Sequence, residues 1–186
     1  MKARFLLLLC AVLLSLPVWA QGSSRVEVFG GYSYTGYSVY DQYSGPWERF
    51  GYNGWAASAA VKLAPYVGVE ANFTGGYGSP YGPSTSLRTY MGGPRISTDV
   101  GRVGIYGHLL FGGLTFVDQR ISLTATSFAT AVGGGANYWF SRRIGVRVID
   151  FDYLRNTNNA AGQGLATKGG GNHFRLSTGI VFRFGR

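Results

Sequence analysis

The chain has 186 residues, of which 46% are hydrophobic, 16% aromatic and only 13% charged. This composition excludes a disordered chain, which needs more charge and fewer apolar residues, and the single cysteine excludes a disulfide scaffold. A formal net charge of +9 suggests nucleic acid or anionic lipid as a partner, so the positions of the charges must decide between them.

The first twenty residues resemble a secretory signal peptide. Lys2 and Arg4 form a basic start, residues 5–18 are almost all apolar, and the stretch ends in Ala20 after Val18 and Trp19. The apolar stretch is shorter than the roughly 20 residues that a membrane-spanning helix needs. We therefore expect residues 1–20 to be cleaved, leaving one mature domain over residues 21–186.

Beyond the leader, apolar residues recur with a period of two, which is typical of strands with unlike faces. The fourth predicted strand contains Pro94, which cannot donate a hydrogen bond to a neighbouring strand. The eight predicted strands cover residues 26–34, 55–63, 67–74, 89–97, 103–111, 128–138, 144–153 and 174–184.

The seventh strand interrupts this alternation. Arg147 lies on the polar face, but Asp150 and Asp152 have the parity of the apolar face. One extra residue near Val148 or Ile149, a β-bulge, would return both aspartates to the face that carries Arg147.

The apolar face of the eight strands is bulky and uncharged, and it carries too many aromatic residues for the interior of an eight-stranded barrel. An inverted barrel suits it better, with apolar residues facing lipid and small or charged residues filling a narrow lumen. About 9 residues per strand, at roughly 3.3 Å each and tilted by about 40°, span about 23 Å, close to the apolar band of such barrels. We predict an all-β fold, an eight-stranded antiparallel up-and-down transmembrane β-barrel.

The polar face supplies a predicted lumenal charge network, in which acidic and basic residues nearly balance. Glu70 is expected to pair with Arg95, and Arg147 with Asp150 or Asp152, closing the lumen to bulk flow. The alternative is that these residues are structural polar filling without a gating role. The network comprises Glu27, Lys62, Glu70, Arg95, Arg147, Asp150, Asp152, Arg175 and Arg183.

The segments between the strands alternate between long and short. This alternation predicts periplasmic N and C termini, with every long loop outside the cell. The predicted long loops cover residues 38–53, 75–86, 112–127 and 156–173, and the tight turns residues 64–66, 98–101 and 141–143.

Several short motifs resemble small eight-stranded outer membrane barrels of the porin-like, OmpA-type class, and the resemblance covers essentially the whole mature chain. The chain differs at its end, where Gly185 and Arg186 follow Phe184 although members usually finish on an aromatic residue. The resemblance implies a non-catalytic integral protein of the Gram-negative outer membrane, inserted by the barrel-assembly machinery. The motifs are Gly92-Gly93-Pro94-Arg95, Gly133-Gly134-Gly135-Ala136-Asn137-Tyr138, Ser141-Arg142-Arg143-Ile144-Gly145-Val146-Arg147, Asp152-Tyr153-Leu154 and the stretch 176–184.

No catalytic or metal-binding motif stands out, so we expect no enzyme activity, no cofactor and no metal. His108 is interpreted as hydrogen-bonded lumenal filling and His173 as a surface residue at the rim. Expected surroundings are outer membrane lipids and lipopolysaccharide, with Arg142 and Arg143 beside phospholipid headgroups, and nucleic acid is not expected. We expect a monomer.

Two functions are compatible with these features. The first is an outer membrane barrel with a structural role or a restricted small-solute pore. The alternative is a surface interaction or adhesion protein that uses the tyrosine-rich segments 37–52 and 77–81. A lipid-modifying enzyme is a third class with little support.

Overall fold

The structure is a computed structural model that describes residues 25–40, 47–78, 85–118, 123–157 and 172–185. The expected signal peptide, residues 1–20, lies outside the described residues. Eight strands are present: β1 Val26–Tyr40, β2 Trp47–Lys62, β3 Val67–Gly78, β4 Thr85–Val100, β5 Val103–Asp118, β6 Leu123–Trp139, β7 Ile144–Thr157 and β8 Asn172–Phe184.

The eight strands form one closed antiparallel barrel in which each strand pairs with its neighbours in the sequence. The barrel closes between β1 and β8, whose pairing runs from Val26 opposite Phe184 to Gly36 opposite Phe174. The predicted all-β, eight-stranded up-and-down fold is therefore confirmed. We call the end with the tight connections after β2, β4 and β6 the turn end, and the opposite end the loop end.

At the turn end, short connections reverse the chain with few residues. Phe140 and Ser141 donate backbone hydrogen bonds to the carbonyl of Ile144, which closes the connection after β6. Gly101 adopts a left-handed φ of 62°, a conformation that glycine reaches without a steric penalty, in the connection after β4.

The strands are longer than predicted, so much of the predicted loop sequence at the loop end is paired strand. The segment 112–127 was expected to be a loop, but β5 continues to Asp118 and β6 already begins at Leu123. Here glycine and threonine replace apolar residues on the outer face, and apolar residues such as Leu114 turn inward, yet the backbone ladder continues because its hydrogen bonds do not depend on side-chain polarity. Thr115 Oγ1 and Thr126 Oγ1, 3.0 Å apart across the pair, share a hydrogen bond.

The two faces of the strands are as unlike as the periodicity predicts. Large apolar side chains are exposed on the outer wall, including Val28, Trp55 and Ile105, whereas their neighbours Phe29, Ala56 and Tyr106 are buried inside. Exposed apolar residues thus form a continuous apolar belt, the surface that a barrel presents to lipid. No helix in the described part of the chain is long and apolar enough to cross a membrane.

The predicted bulge in β7 is confirmed. The pairing of β6 with β7 steps from Ala136 opposite Ile149 to Asn137 opposite Arg147, which leaves Val148 as the extra residue. Val148 and Ile149 are consequently both exposed on the outer wall, and the strand resumes with the opposite parity.

The lumen is filled differently from the prediction of small residues with a few charges. Bulky apolar side chains also point inward, because a barrel of eight strands still has room for side chains that meet at its axis. One cluster, which we call the apolar layer, consists of Tyr52, Leu87, Met91, Leu110, Leu114, Ala129, Ala131 and Leu154. A second cluster nearer the turn end consists of Phe29, Ala56, Trp139 and Val181.

A charge placed on the outer wall tests this arrangement. Ile180, 53% exposed, lies within the apolar belt between Leu176 and Phe184, and Ile180→Arg is expected to lower the free energy of unfolding in lipid by about 2–4 kcal/mol. Leu63→Arg, at the rim of the turn end, is the control and is expected to cost about 0–1 kcal/mol. Equal costs at the two positions, measured by urea titration in bilayers, would contradict a lipid-facing wall.

Candidate functional site: the lumenal charge network

The register places opposite charges side by side across neighbouring strands. Glu27 on β1 lies opposite Arg183 on β8, and Asp152 on β7 lies opposite Arg175 on β8. Asp152 faces Gly133 on β6, where a Cβ atom would lie 2.0 Å from the Asp152 Oδ1 atom. A side chain at position 133 would therefore displace this carboxylate.

His108 joins two carboxylates in the middle of the lumen. Its Nδ1 atom lies 3.2 Å from Glu70 Oε2, and its Nε2 atom lies 2.6 Å from Asp152 Oδ1. Both contacts are hydrogen bonds only when both ring nitrogens carry protons, because carboxylates only accept. The side chains of all three residues are almost fully buried.

Arginines complete both ends of this chain of contacts. Arg95 Nη1 donates to Glu70 Oε2 at 3.0 Å, and Arg175 Nε donates to Asp152 Oδ2 at 2.9 Å. Arg175 Nη1 also donates to Thr89 Oγ1 at 3.1 Å, on a strand across the lumen. Side chains from opposite walls thus meet at the axis of the barrel.

A second group is centred on Arg147. Its Nη1 atom donates to Asp150 Oδ2 at 3.0 Å, and its Nε atom donates to Asn137 Oδ1 at 3.3 Å. The guanidinium carbon lies 4.0 Å from the ring centre of Phe29 and 4.7 Å from that of Tyr106. These aromatic faces stabilise a buried cation that has a single acidic partner among the described residues.

At the turn end, the network continues to the rim of the barrel. Glu27 accepts hydrogen bonds from Arg95 Nη2 at 2.9 Å and from Arg183 Nη2 at 2.8 Å. Arg183 also donates to Asp99 Oδ1 at 2.9 Å, and Asp99 pairs with Arg25 at 3.2 Å. These outer pairs are partly exposed, so removing one partner costs less there than in the buried pairs.

The predicted network residues take different places in this arrangement. The predicted Glu70–Arg95 pair forms, and of the two candidates for Arg147 the partner is Asp150, since Asp152 pairs with Arg175. Lys62 has no ion-pair partner among the described residues and lines a small cavity with Arg25, Glu27 and Arg95 at the turn end.

Several members of the network were not assigned from the sequence. The parity of β5 indicated an inward His108, but its partners lie 38 and 44 positions away and only the folded register brings them together. Asp99 was interpreted as part of a turn. The interpretation of His173 as a surface residue is wrong: the residue is buried, and its Nε2 atom lies 3.1 Å from Asn156 Oδ1, because β8 begins at Asn172.

His108, Asp150 and Asp152 lie close enough to hold a metal ion, with one ligand atom of each within 4.8 Å of the others. Their surroundings do not favour one. Arg147 and Arg175 already neutralise the two carboxylates, so a divalent cation would enter a layer whose acidic charges are balanced. The fit to a metal is therefore poor.

The apolar layer fills part of the lumen on the loop side of the network. Leu110 follows His108 by two positions along β5, and Leu154 follows Asp152 by two positions along β7, so both point inward one step nearer the loop end. At the turn end, the cavity beside Lys62 has a volume of about 10 Å³, roughly the least that holds one water molecule. A groove of about 290 Å³, lined in part by Ile96 and Ile105, opens instead on the outer wall.

A double-mutant cycle tests whether the buried charges depend on each other. Arg147→Met leaves Asp150 unpaired and Asp150→Asn leaves Arg147 unpaired, so each is expected to lower the free energy of unfolding by about 3–5 kcal/mol. The double variant is expected to lose less than the sum of the two, because no unpaired charge remains. Arg25→Gln at the rim serves as the control and is expected to cost about 1 kcal/mol or less.

Strict additivity of the two single losses in that cycle, measured by chemical denaturation of the folded barrel in detergent micelles, would contradict a direct Arg147–Asp150 interaction.

Comparison with known proteins places the chain in a family. The model of the outer membrane protein β-barrel domain family matches residues 6–184. No curated protein sequence matches the chain significantly. Solved structures with a similar fold include Neisserial surface protein A, with 17% identity and a TM-score of 0.61, covering 88% of this chain and 100% of that one.

The attachment invasion locus protein Ail of Yersinia pestis has 16% identity and a TM-score of 0.56, with coverage of 88% of this chain and 100% of that one. The outer membrane protein OprG of Pseudomonas aeruginosa has 12% identity and a TM-score of 0.50, with coverage of 87% and 96%. These similarities show a shared fold. Together with the closed barrel and its apolar outer wall, the family match shows that this chain belongs to the outer membrane protein β-barrel domain family of Gram-negative bacteria.

Proposed function

We propose that the protein is a structural outer membrane barrel whose lumen admits, at most, slow passage of small solutes. The observation that carries this proposal is that two sets of buried side chains, the charge network and the apolar layer, fill one narrow lumen. Both termini are proposed to lie in the periplasm, as the tight connections at one end of the barrel favour.

Each layer opposes passage for a different physical reason. In the charge network, His108 joins the carboxylates of Glu70 and Asp152 from facing walls, so an ion that passes must separate buried pairs. In the apolar layer, buried residues such as Leu110 and Leu154 offer a hydrated solute no polar partner. A hydrated ion therefore meets two unfavourable zones in series.

The surroundings of His108 support a non-enzymatic role. A catalytic triad needs a hydroxyl or thiol at one ring nitrogen of the histidine and a carboxylate at the other. Here carboxylates, those of Glu70 and Asp152, occupy both nitrogens. The ring is thus held as a bridge within the network and is not free to activate a nucleophile.

Planar-bilayer conductance tests the closed lumen. The native protein is expected to show no large steady conductance, whereas Leu110→Gly is expected to raise the frequency of brief openings and the uptake of small solutes in liposome-swelling assays. Leu109→Gly is the matched control, because Leu109 immediately precedes Leu110 on β5 but lies exposed on the outer wall. A large open pore in the native protein, or equal effects of the two substitutions, would contradict the proposal.

A second candidate function, interaction at the cell surface, is favoured by one specific observation. The paired strands β5 and β6 extend toward the loop end beyond the exposed apolar residues Phe111 and Phe128, and there Thr115, Thr124 and Thr126 line the outer wall. The attachment invasion locus protein shares this fold. Such a projecting polar hairpin would carry loop residues away from the membrane.

Shortening both strands of this hairpin by the same number of residues distinguishes the two candidate functions. Deleting residues 115–118 together with 123–126 removes paired residues from both strands and keeps the register of the rest. If the hairpin serves surface binding, the variant is expected to fold with the usual heat-modifiable gel mobility and unchanged permeability, but to lose adhesion of whole cells. Unchanged adhesion would remove this candidate.

A further inference from the structure

Two arginines differ from every other charged strand residue whose side chain the structure describes. The charged members of the lumenal network point inward, whereas Arg88 on β4 and Arg155 on β7 are exposed on the outer wall. Their inward neighbours Leu87 and Leu154 are buried in the apolar layer, which fixes the outward direction of both arginines.

Both arginines lie at the same kind of boundary. On the outer face of β4, Arg88 lies two residues nearer the loop end than the exposed Tyr90. On the outer face of β7, Arg155 lies two residues nearer the loop end than the exposed Tyr153. Toward the turn end both rows are mostly apolar, and toward the loop end β7 continues with exposed Thr157. A tyrosine followed by a cation is the order expected where hydrocarbon gives way to headgroups.

Neither guanidinium has an acidic partner within the described residues. Arg88 lies between Gly75 and Thr115, and Arg155 lies between Thr130 and Asn172, all of which are uncharged. An arginine at an apolar boundary extends its guanidinium out of the hydrocarbon to the headgroup level, where it can pair with an anion outside the protein. The lipid layer around the barrel is where such an anion is available.

We propose that Arg88 and Arg155 bind the phosphate groups of lipopolysaccharide at the loop end of the barrel. A guanidinium presents paired N–H donors that match two phosphate oxygens, which makes it a suitable headgroup ligand. Tyr90 and Tyr153 then lie against the boundary between acyl chains and sugars, and Thr115 and Thr130 offer hydroxyls beside the cations.

This inference rests on the proposed orientation, in which the loop end faces the outer leaflet, where the phosphates belong to a glycolipid. The turn end has exposed arginines of its own, Arg102, Arg142 and Arg143, which would face phospholipid. The two rims are therefore proposed to hold different lipids, and the arginines of the turn end provide a matched control.

The test extracts the full mature protein in mild detergent from outer membranes, where lipopolysaccharide occupies only the outer leaflet and so reaches only the loop end in the proposed orientation. The double variant Arg88→Gln/Arg155→Gln is expected to retain at least about tenfold less co-purified lipopolysaccharide than the native protein, measured by native mass spectrometry. Arg142→Gln/Arg143→Gln is expected to retain as much as the native protein does, because these arginines face the phospholipid leaflet. Heat-modifiable mobility checks that each variant is folded.

Two lipid controls identify the group that is bound. Dephosphorylated lipid A, added to the delipidated protein, is expected to bind the native protein and the loop-end variant equally. Phosphatidylglycerol is expected to lose less affinity than lipid A on the loop-end substitutions, because its phosphodiester carries one charge where a phosphomonoester carries up to two. Equal losses in the two arginine variants, no loss in either, or an equal loss for phosphatidylglycerol would each overturn the proposal. Because binding is read separately from conductance, an open lumen would refute the proposed function without affecting this result.

Discussion

The structure depends on one constraint: within hydrocarbon, every backbone N–H and C=O group must find its partner inside the protein. A sheet meets this requirement only by closing, and the pairing of β1 with β8 removes the two free edges. Closure then decides where side chains go. Alternate residues such as Val28 face the lipid and their neighbours such as Phe29 face the axis, so the polar content of the strands is concentrated in a narrow lumen.

Concentrating charge in this way makes pairing a requirement of folding. Arg147 and Arg175 are almost fully buried, and each has a carboxylate within hydrogen-bond distance. An unpaired charge in the same place would be strongly destabilising, although a paired one contributes little net stability. The network therefore fills the lumen with paired charges, and the apolar layer packs beside it. Both features favour a closed barrel over an open pore.

The sequence contains the information for the strands and their faces, and much less for their ends and contacts. Strict alternation located the core of all eight strands, and the wrong parity of Asp150 and Asp152 was enough to locate the bulge that the register places at Val148. The ends were missed because the apolar residues there, such as Leu114, turn inward while Thr115 and Thr126 take the outer face, which reverses the pattern of the strand cores. The partners of Asp152 were missed because His108 and Arg175 come from different strands, and parity gives direction but not height along the barrel axis.

Site-directed spin labelling in lipid bilayers tests the direction of the two faces most directly. Single cysteines at Val61 and Ile180, labelled and measured by power saturation, report whether each side chain meets dissolved oxygen in the lipid or a water-soluble nickel reagent. This account predicts high oxygen accessibility and low nickel accessibility at both sites, with a label at Ser58 in the lumen shielded from oxygen. Higher nickel than oxygen accessibility at Val61 and Ile180 would contradict the lipid-facing wall on which the lumenal network depends.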